Sequence, residues 1–340
     1  MKAKTSLTLL ALAACAAPAW AQSTVQLNGV IDLFAGQRQL SGAAKITRVD
    51  SGGLTTSRWG VDGTEDLGGG LKATFALSGF VRVDTGESGR TPVDRQWSRF
   101  AYVGLQGSWG ALRLGRVGTP TFGNAIRFSP FADSTTFGPY MTHVYTGGQP
   151  LVTPMNSPDS AADNSIAYLL PNVGGFSGSA MLSMGETTGK GDRLIAAGAY
   201  GAGPFAVGLG TERVKAPGAL PTGVSEIDNV QAGISFDLKV VKLFGTYSTS
   251  EMTLAAGKRE LDTWQAGLTA PVGGVGLLKL AYATTTKSET ALADVKRDTL
   301  ALGYDHALSK RTDLYLVGMR DKVTKLASGT TLVGGVRHRF

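Results

Sequence analysis

Residues 71–84 read LKATFALSGFVRVD. Leu71, Ala73, Phe75, Leu77, Gly79, Val81 and Val83 take every odd place, while Lys72, Thr74, Ser78, Arg82 and Asp84 take most of the even ones. Alternation over such a run means a β-strand with one apolar and one polar face. The apolar face must meet either a protein core or lipid. The pattern recurs in TVQLNGVIDLF (24–34), GFSGSAMLSM (175–184), VQAGISFDL (230–238), VKLFGTYSTS (241–250) and TLVGGVRHRF (331–340), the last placing Arg337 and Arg339 on one face. Gly is common on the apolar faces, where a soluble core would want bulk and fluid lipid would fill the gaps.

Two kinds of connection separate the strands. Short ones fall at Asp66 to Gly70, Pro171 to Gly174, Gly201 to Pro204, Pro271 to Gly276 and His306 to Arg311; longer polar ones fall near 35–50, 85–93, 117–162, 185–192, 212–226, 250–258, 285–295 and 321–330. Short turns at one end and long loops at the other describe an all-β transmembrane barrel, antiparallel and up-and-down. Eight long loops predict eight hairpins and sixteen strands, with fourteen or eighteen the neighbouring counts if a weak stretch such as 193–200 is misread. A barrel that wide cannot be filled by its own side chains, so its polar face surrounds water and its apolar face meets lipid. Closure also pairs every backbone N–H and C=O, as hydrocarbon demands. A soluble β-sandwich or secreted β-helix would not alternate short and long connections.

Composition narrows the class further. The chain of 340 residues has 47 Gly and one Cys, and no internal apolar run after residue 25 is long enough for a transmembrane helix. The single Cys15 excludes an internal disulfide framework or a Cys-based metal site. The net charge of +7 is scattered along strands without a nucleic-acid-binding motif. Lys2 and Lys4 precede SLTLLALAACAAPAWA, which closes on Ala19-Trp20-Ala21. This predicts a secretory signal peptide over 1–21, cleaved between Ala21 and Gln22, and a mature domain over 22–340. Leu12-Ala13-Ala14-Cys15 is a competing lipoprotein box, disfavoured because so little chain separates it from the first strand.

SRWGVDGTEDLGGGLKATFAL (57–77), RFAYVGLQGSWGALRLGR (99–116), NSIAYLLPNVGGFS (164–177), ALGYDHALSKRTDLY (301–315) and the terminal GGVRHRF resemble the Gram-negative general porins, above all the beta-proteobacterial trimeric type. The resemblance implies a homotrimer of sixteen-stranded barrels in the outer membrane, in contact with its lipid and lipopolysaccharide, passing small hydrophilic solutes passively and needing no cofactor. It also implies that the long third loop, 117–162, folds into each pore. A 46-residue connection needs such a functional reason. Phe340 matches the terminal aromatic that the outer-membrane assembly machinery reads in this family.

Chemistry would need a nucleophile and a base within reach of each other. His143 lies in the long loop, His306 at an expected turn and His338 in a lipid-facing register, so no catalytic site is expected. Gly68-Gly69-Gly70 has no helix after it and is a turn, not a phosphate loop. The residues that matter are lumenal arginines. Reflection about a turn centred near Gly68 sets Arg58 opposite roughly Ser78, and reflection about a loop centred near Gly89 sets Arg99 opposite the same place, about 10 Å from Arg58 across two strand spacings. Arg82 falls one position pair higher and Arg113 one strand over. The resemblance implies that Arg58 and Arg99 belong to a basic wall facing the inward loop. Two departures weaken that wall: the family often has Arg where Ala167 stands, and a basic residue where Asp62 stands. Asp62 shares the register of Arg58, and Asp133 is the loop acid expected to face the wall. These residues predict a diffusion porin with modest anion preference. The alternatives are a substrate-specific channel for small organic anions on the same scaffold, or an adhesive surface protein using its loops.

Overall fold

The computed structural model describes residues 23–146, 159–186, 191–215, 224–255 and 257–340. The segment read as a signal peptide, with its Ala21–Gln22 junction and Cys15, lies outside them. The first strands are β1 (Thr24–Arg38), β2 (Ile46–Ser51), β3 (Arg58–Gly68), β4 (Leu71–Arg82), β5 (Glu87–Ser88), β6 (Phe100–Gly107) and β7 (Gly110–Gly118). Two helices follow, α1 (Pro120–Arg127) and α2 (Pro139–Val144). Then come β8 (Ala161–Leu169), β9 (Phe176–Ser183), β10 (Arg193–Ala202), β11 (Phe205–Lys215) and β12 (Val224–Asp237). The last are β13 (Lys242–Leu254), β14 (Gly257–Val272), β15 (Gly276–Glu289), β16 (Val295–Ala307), β17 (Thr312–Val323) and β18 (Gly329–Arg339).

Every pairing is antiparallel and the ladder closes on itself. β1 pairs with β18 through Val30↔Arg339 to Gln37↔Leu332. Beyond the ladder, Gly29 N donates to Phe340 O and Phe340 N donates to Gly29 O, each at 3.1 Å. On its other side β1 pairs with β2 at Leu33↔Ser51 and with β3 at Val30↔Arg58. β2 and β3 are thus two halves of one barrel strand, interrupted by residues 52–57. β5 is a two-residue rung on β4. The barrel therefore has sixteen strands. No edge is left open to lipid.

The alternation does what it predicts. Phe75, Leu77, Leu209, Trp264, Leu300 and Leu332 point outward and are exposed, whereas Ala76, Ser78, Gln231, Thr263 and Gln265 point inward and are buried. An isolated soluble chain would not leave such a belt uncovered, and a Leu there is stabilised by lipid. Several details differ from expectation. β13 and β14 are joined tightly between Leu254 and Gly257, not by a long loop across 250–258. The turns at 107–110 and 237–242 carry weak signals; at the second, Lys239 adopts φ 71° where Gly would be usual. Gly68, Gly69 and Gly70 all take positive φ (85°, 59° and 81°), and a bulge follows Asp66. The hairpin turns at Gly69–Gly70, beyond Gly68, so Arg58 faces Phe80, and Ser78 faces Gly60.

Nor is the lumen simply water. The described part of the connection after Gly118, residues 119–146, enters the barrel and packs on its wall, with α1 against β9–β12 and α2 against β14–β16. Phe128, Phe131, Phe137, Tyr140 and Met141 are buried. Lumenal glycines make the room: a Cβ on Gly233 would lie 2.3 Å from the Phe128 ring, and one on Gly267 2.6 Å from Pro130. These glycines lie on the lumenal face and serve protein packing there.

Candidate pore constriction

The inward loop is held by polar contacts that reach right across the barrel. On the far wall, Tyr140 N donates to Gln265 Oε1 (3.1 Å) and Tyr140 Oη donates to Gln231 Oε1 (3.3 Å). His143 is fully enclosed, Nδ1 and Nε2 each 2.8 Å from the hydroxyls of Thr285 and Thr299. Burial, helped by the Arg297 charge, pushes this loop imidazole well below its ordinary range and keeps it neutral. On the near wall the break between β2 and β3 receives the loop. Ser134 Oγ donates to Gly53 O (2.7 Å) and Thr136 Oγ1 donates to Gly52 O (2.6 Å). Among the described residues the loop thus reaches both walls, and an open space lies beside it on the side of β3, β4 and β6–β10.

A cavity of about 540 Å³ occupies that space. Arg58, Arg90, Arg99, Arg113 and Arg127 all line it, against the single carboxylate of Asp133. Arg58 Nη1 donates to Asp133 Oδ2 at 3.3 Å. Thr55 Oγ1 donates to Asp133 Oδ1 at 3.0 Å and accepts from Arg337 Nη1 at 3.1 Å. Arg99 lies over the Phe100 ring, 4.1 Å from its centroid, and its Nη1 reaches Ser78 Oγ at 3.4 Å. Arg113 lies 4.7 Å over Tyr102, and Arg127 Nη1 is 3.3 Å from Ser177 Oγ. Among the described residues no carboxylate comes within ion-pair distance of Arg99, Arg113 or Arg127.

Four of the six charged residues singled out in the sequence thus meet here: Arg58, Arg99, Arg113 and Asp133. Two do not. Arg82 turns to Glu87 on β5 (2.9 Å) and does not line the cavity. Asp62 lies four residues nearer the short turn than Arg58, about 13 Å along the strand, where Asn28 Nδ2 donates to it. It shares the register of Arg58 without reaching it. The sequence pattern misses Arg90 and Arg127, which stand in loops where no periodicity assigns a face. Arg90 stacks 4.8 Å over Phe80 and binds Asp94 (2.9 Å) and Asp159 (3.0 Å). Arg116 holds Asp159 and Asp163, each at 2.8 Å. Burial pushes the Asp159 carboxyl up, but Arg90 and Arg116 outweigh it and hold it below the usual carboxylate range. This network ties the root of the inward loop to the neighbouring loop. Arg337 and Arg339 are neutralised on the wall by Asp313 and, for Arg337, Asp305 as well.

Comparison with known proteins agrees with this architecture. The sequence matches the Gram-negative porin family over residues 7–326. It is 35% identical over 324 residues to outer membrane porin protein 32 of Delftia acidovorans, covering 92% of this chain and 88% of that one. It is 28% identical to an outer membrane porin protein of Bordetella pertussis over 99% of this chain and all of the other. Among solved structures, the anion-selective porin from Comamonas acidovorans superposes with a TM-score of 0.79 at 30% identity, covering 94% of this chain and all of that one. With a closed sixteen-stranded barrel, a lipid-facing apolar belt and a loop packed inside the lumen, the chain belongs to the Gram-negative porins of the outer membrane.

Proposed function

We propose that this porin is a passive diffusion channel with a few-fold preference for anions, set where the inward loop meets the arginine wall. The observation that carries the proposal is the charge balance of the cavity: among the described residues Arg99, Arg113 and Arg127 line it without a carboxylate partner, while Asp133 answers Arg58, and Asp94 and Asp159 answer Arg90. Arg58, Arg99 and Arg113 form the basic side and Asp133 the acidic side; Arg90 and Arg127 complete it. Arg82 and Asp62 have no part in it. The similarity to the anion-selective Comamonas porin supports the same sign. Ionic selectivity of this kind weakens as salt rises, because the charges face water.

The proposed diffusion calls for neither catalysis nor a cofactor. The mature domain begins at Gln22 after removal of residues 1–21 and assembles as a homotrimer surrounded by outer-membrane lipid and lipopolysaccharide. Phe340 is the signal for the assembly machinery, a role that suits a terminal residue whose backbone completes barrel closure and whose ring remains 40% exposed. Single-channel recording in planar bilayers tests the whole proposal. A diffusion porin gives large ohmic steps, a substrate-specific channel gives steps blocked by its solute, and an adhesin gives none.

A further inference from the structure

The cavity has a mixed lining. Arg99 and Arg113 line it from the β6–β7 wall; Phe122 and Ile126 of α1, with Leu169, Ala197 and Ala199 of the β8–β10 wall, also line it. Ala167 stands directly across from Arg113 in the β7–β8 register, so the apolar lining runs up to a guanidinium. Arg99 and Arg113 sit over aromatic rings, 4.1 Å from the Phe100 centroid and 4.7 Å from that of Tyr102, and both line the cavity. Arg113 Nε is buried and has no hydrogen-bond partner among the described residues. The guanidinium fork matches a carboxylate better than a spherical ion.

Resting on the anion-channel proposal above, we infer that the constriction favours aromatic monocarboxylates, of which benzoate is the simplest, over hydrophilic anions. A benzoate at Arg113 would lay its ring against Phe122, Ile126 and the wall alanines. A second carboxylate in that place would lose hydration without gaining a donor. Space is sufficient, since a benzene-sized ring occupies roughly 150 Å³ of the 540 Å³ present. The remainder holds water, so the anion pauses and passes.

The test uses the full-length purified chain in planar bilayers in about 0.1 M KCl, recording chloride current while benzoate, acetate or succinate is added. Benzoate should halve the current at about one-fifth of the concentration acetate needs, the ratio expected when roughly 40 Å² of ring surface leaves water. Succinate should need at least as much as acetate. Phe122→Ser with Ile126→Ser should bring benzoate to the level of acetate while chloride-over-potassium selectivity stays. Ala167→Arg, which adds a second guanidinium across from Arg113, should do the same while strengthening the succinate block. Equal potency of benzoate and acetate in the wild type, or a benzoate advantage that survives in every variant that still conducts, overturns the inference. A cation-selective wild type overturns the anion-channel proposal itself; an anion-selective pore indifferent to the ring overturns only this one.

Discussion

Neutralising Arg99 and Arg113 together should remove most of the ion preference while leaving the barrel and loop in place. Both guanidinium groups lack a carboxylate partner, so Arg99→Gln with Arg113→Gln strands no buried acid, unlike a change at Arg58, which would leave Asp133 facing only Thr55. A cavity of 540 Å³ equals a sphere of about 5 Å radius, which sets the distance from a central ion to either charge. At 5 Å in a water-like dielectric each charge is worth ~0.8 kcal/mol. A Debye length of ~8 Å at physiological salt reduces this to ~0.45 kcal/mol, roughly two-fold in occupancy per charge and about four-fold for both. At ~1 M salt the Debye length of ~3 Å leaves less than ~2-fold for both together. Zero-current potentials across a KCl gradient, measured at low and high salt, should therefore show the anion preference of the double variant reduced about four-fold at low salt and hardly changed at high salt, Arg127 keeping a remainder. Arg213→Gln, on the exposed outer rim, is the control and should change neither. A double variant that keeps the wild-type potential at low salt would refute the basic wall.

Three further outcomes follow from the packing and the termini. Gly233→Val places a side chain within 2.3 Å of the Phe128 ring; overpacking of about 1–3 kcal/mol should lower the thermal unfolding midpoint and make the single-channel current flicker as the loop loosens. His143 is held neutral by burial on the loop, so its folded-state pKa lies below its unfolded value; acidification below about pH 6.5 should cost up to ~1.4 kcal/mol per pH unit until the folded pKa is reached. Unfolding midpoints against pH should accordingly flatten in His143→Gln. Deleting Phe340 should reduce outer-membrane accumulation, followed by fractionation, without blocking export; normal accumulation would remove its role as an assembly signal.

The alternation of residues such as Leu71 to Val83 determined, without any structure, that this chain makes long two-faced strands. The spacing of its turns determined that those strands close as a barrel in a membrane. Side-chain period is a local property, and lipid imposes one rule on all strands alike, so the architecture is legible residue by residue. Register was less so: the hairpin turns at Gly69–Gly70 and not about Gly68, which moves Arg58 from Ser78 to Phe80, because pairing depends on turn geometry that composition only outlines. Loops have no period, and there the tertiary structure alone decided. It brought Asp133 to Arg58, added Arg90 and Arg127 to the cavity, drew Arg82 away to Glu87 and left Asp62 below. It also gave Gly233 and Gly267 their purpose, since only the folded loop puts Phe128 and Pro130 above them. A charge near a pore acts through distances of a few ångströms, and those are set by how the loop crosses the lumen.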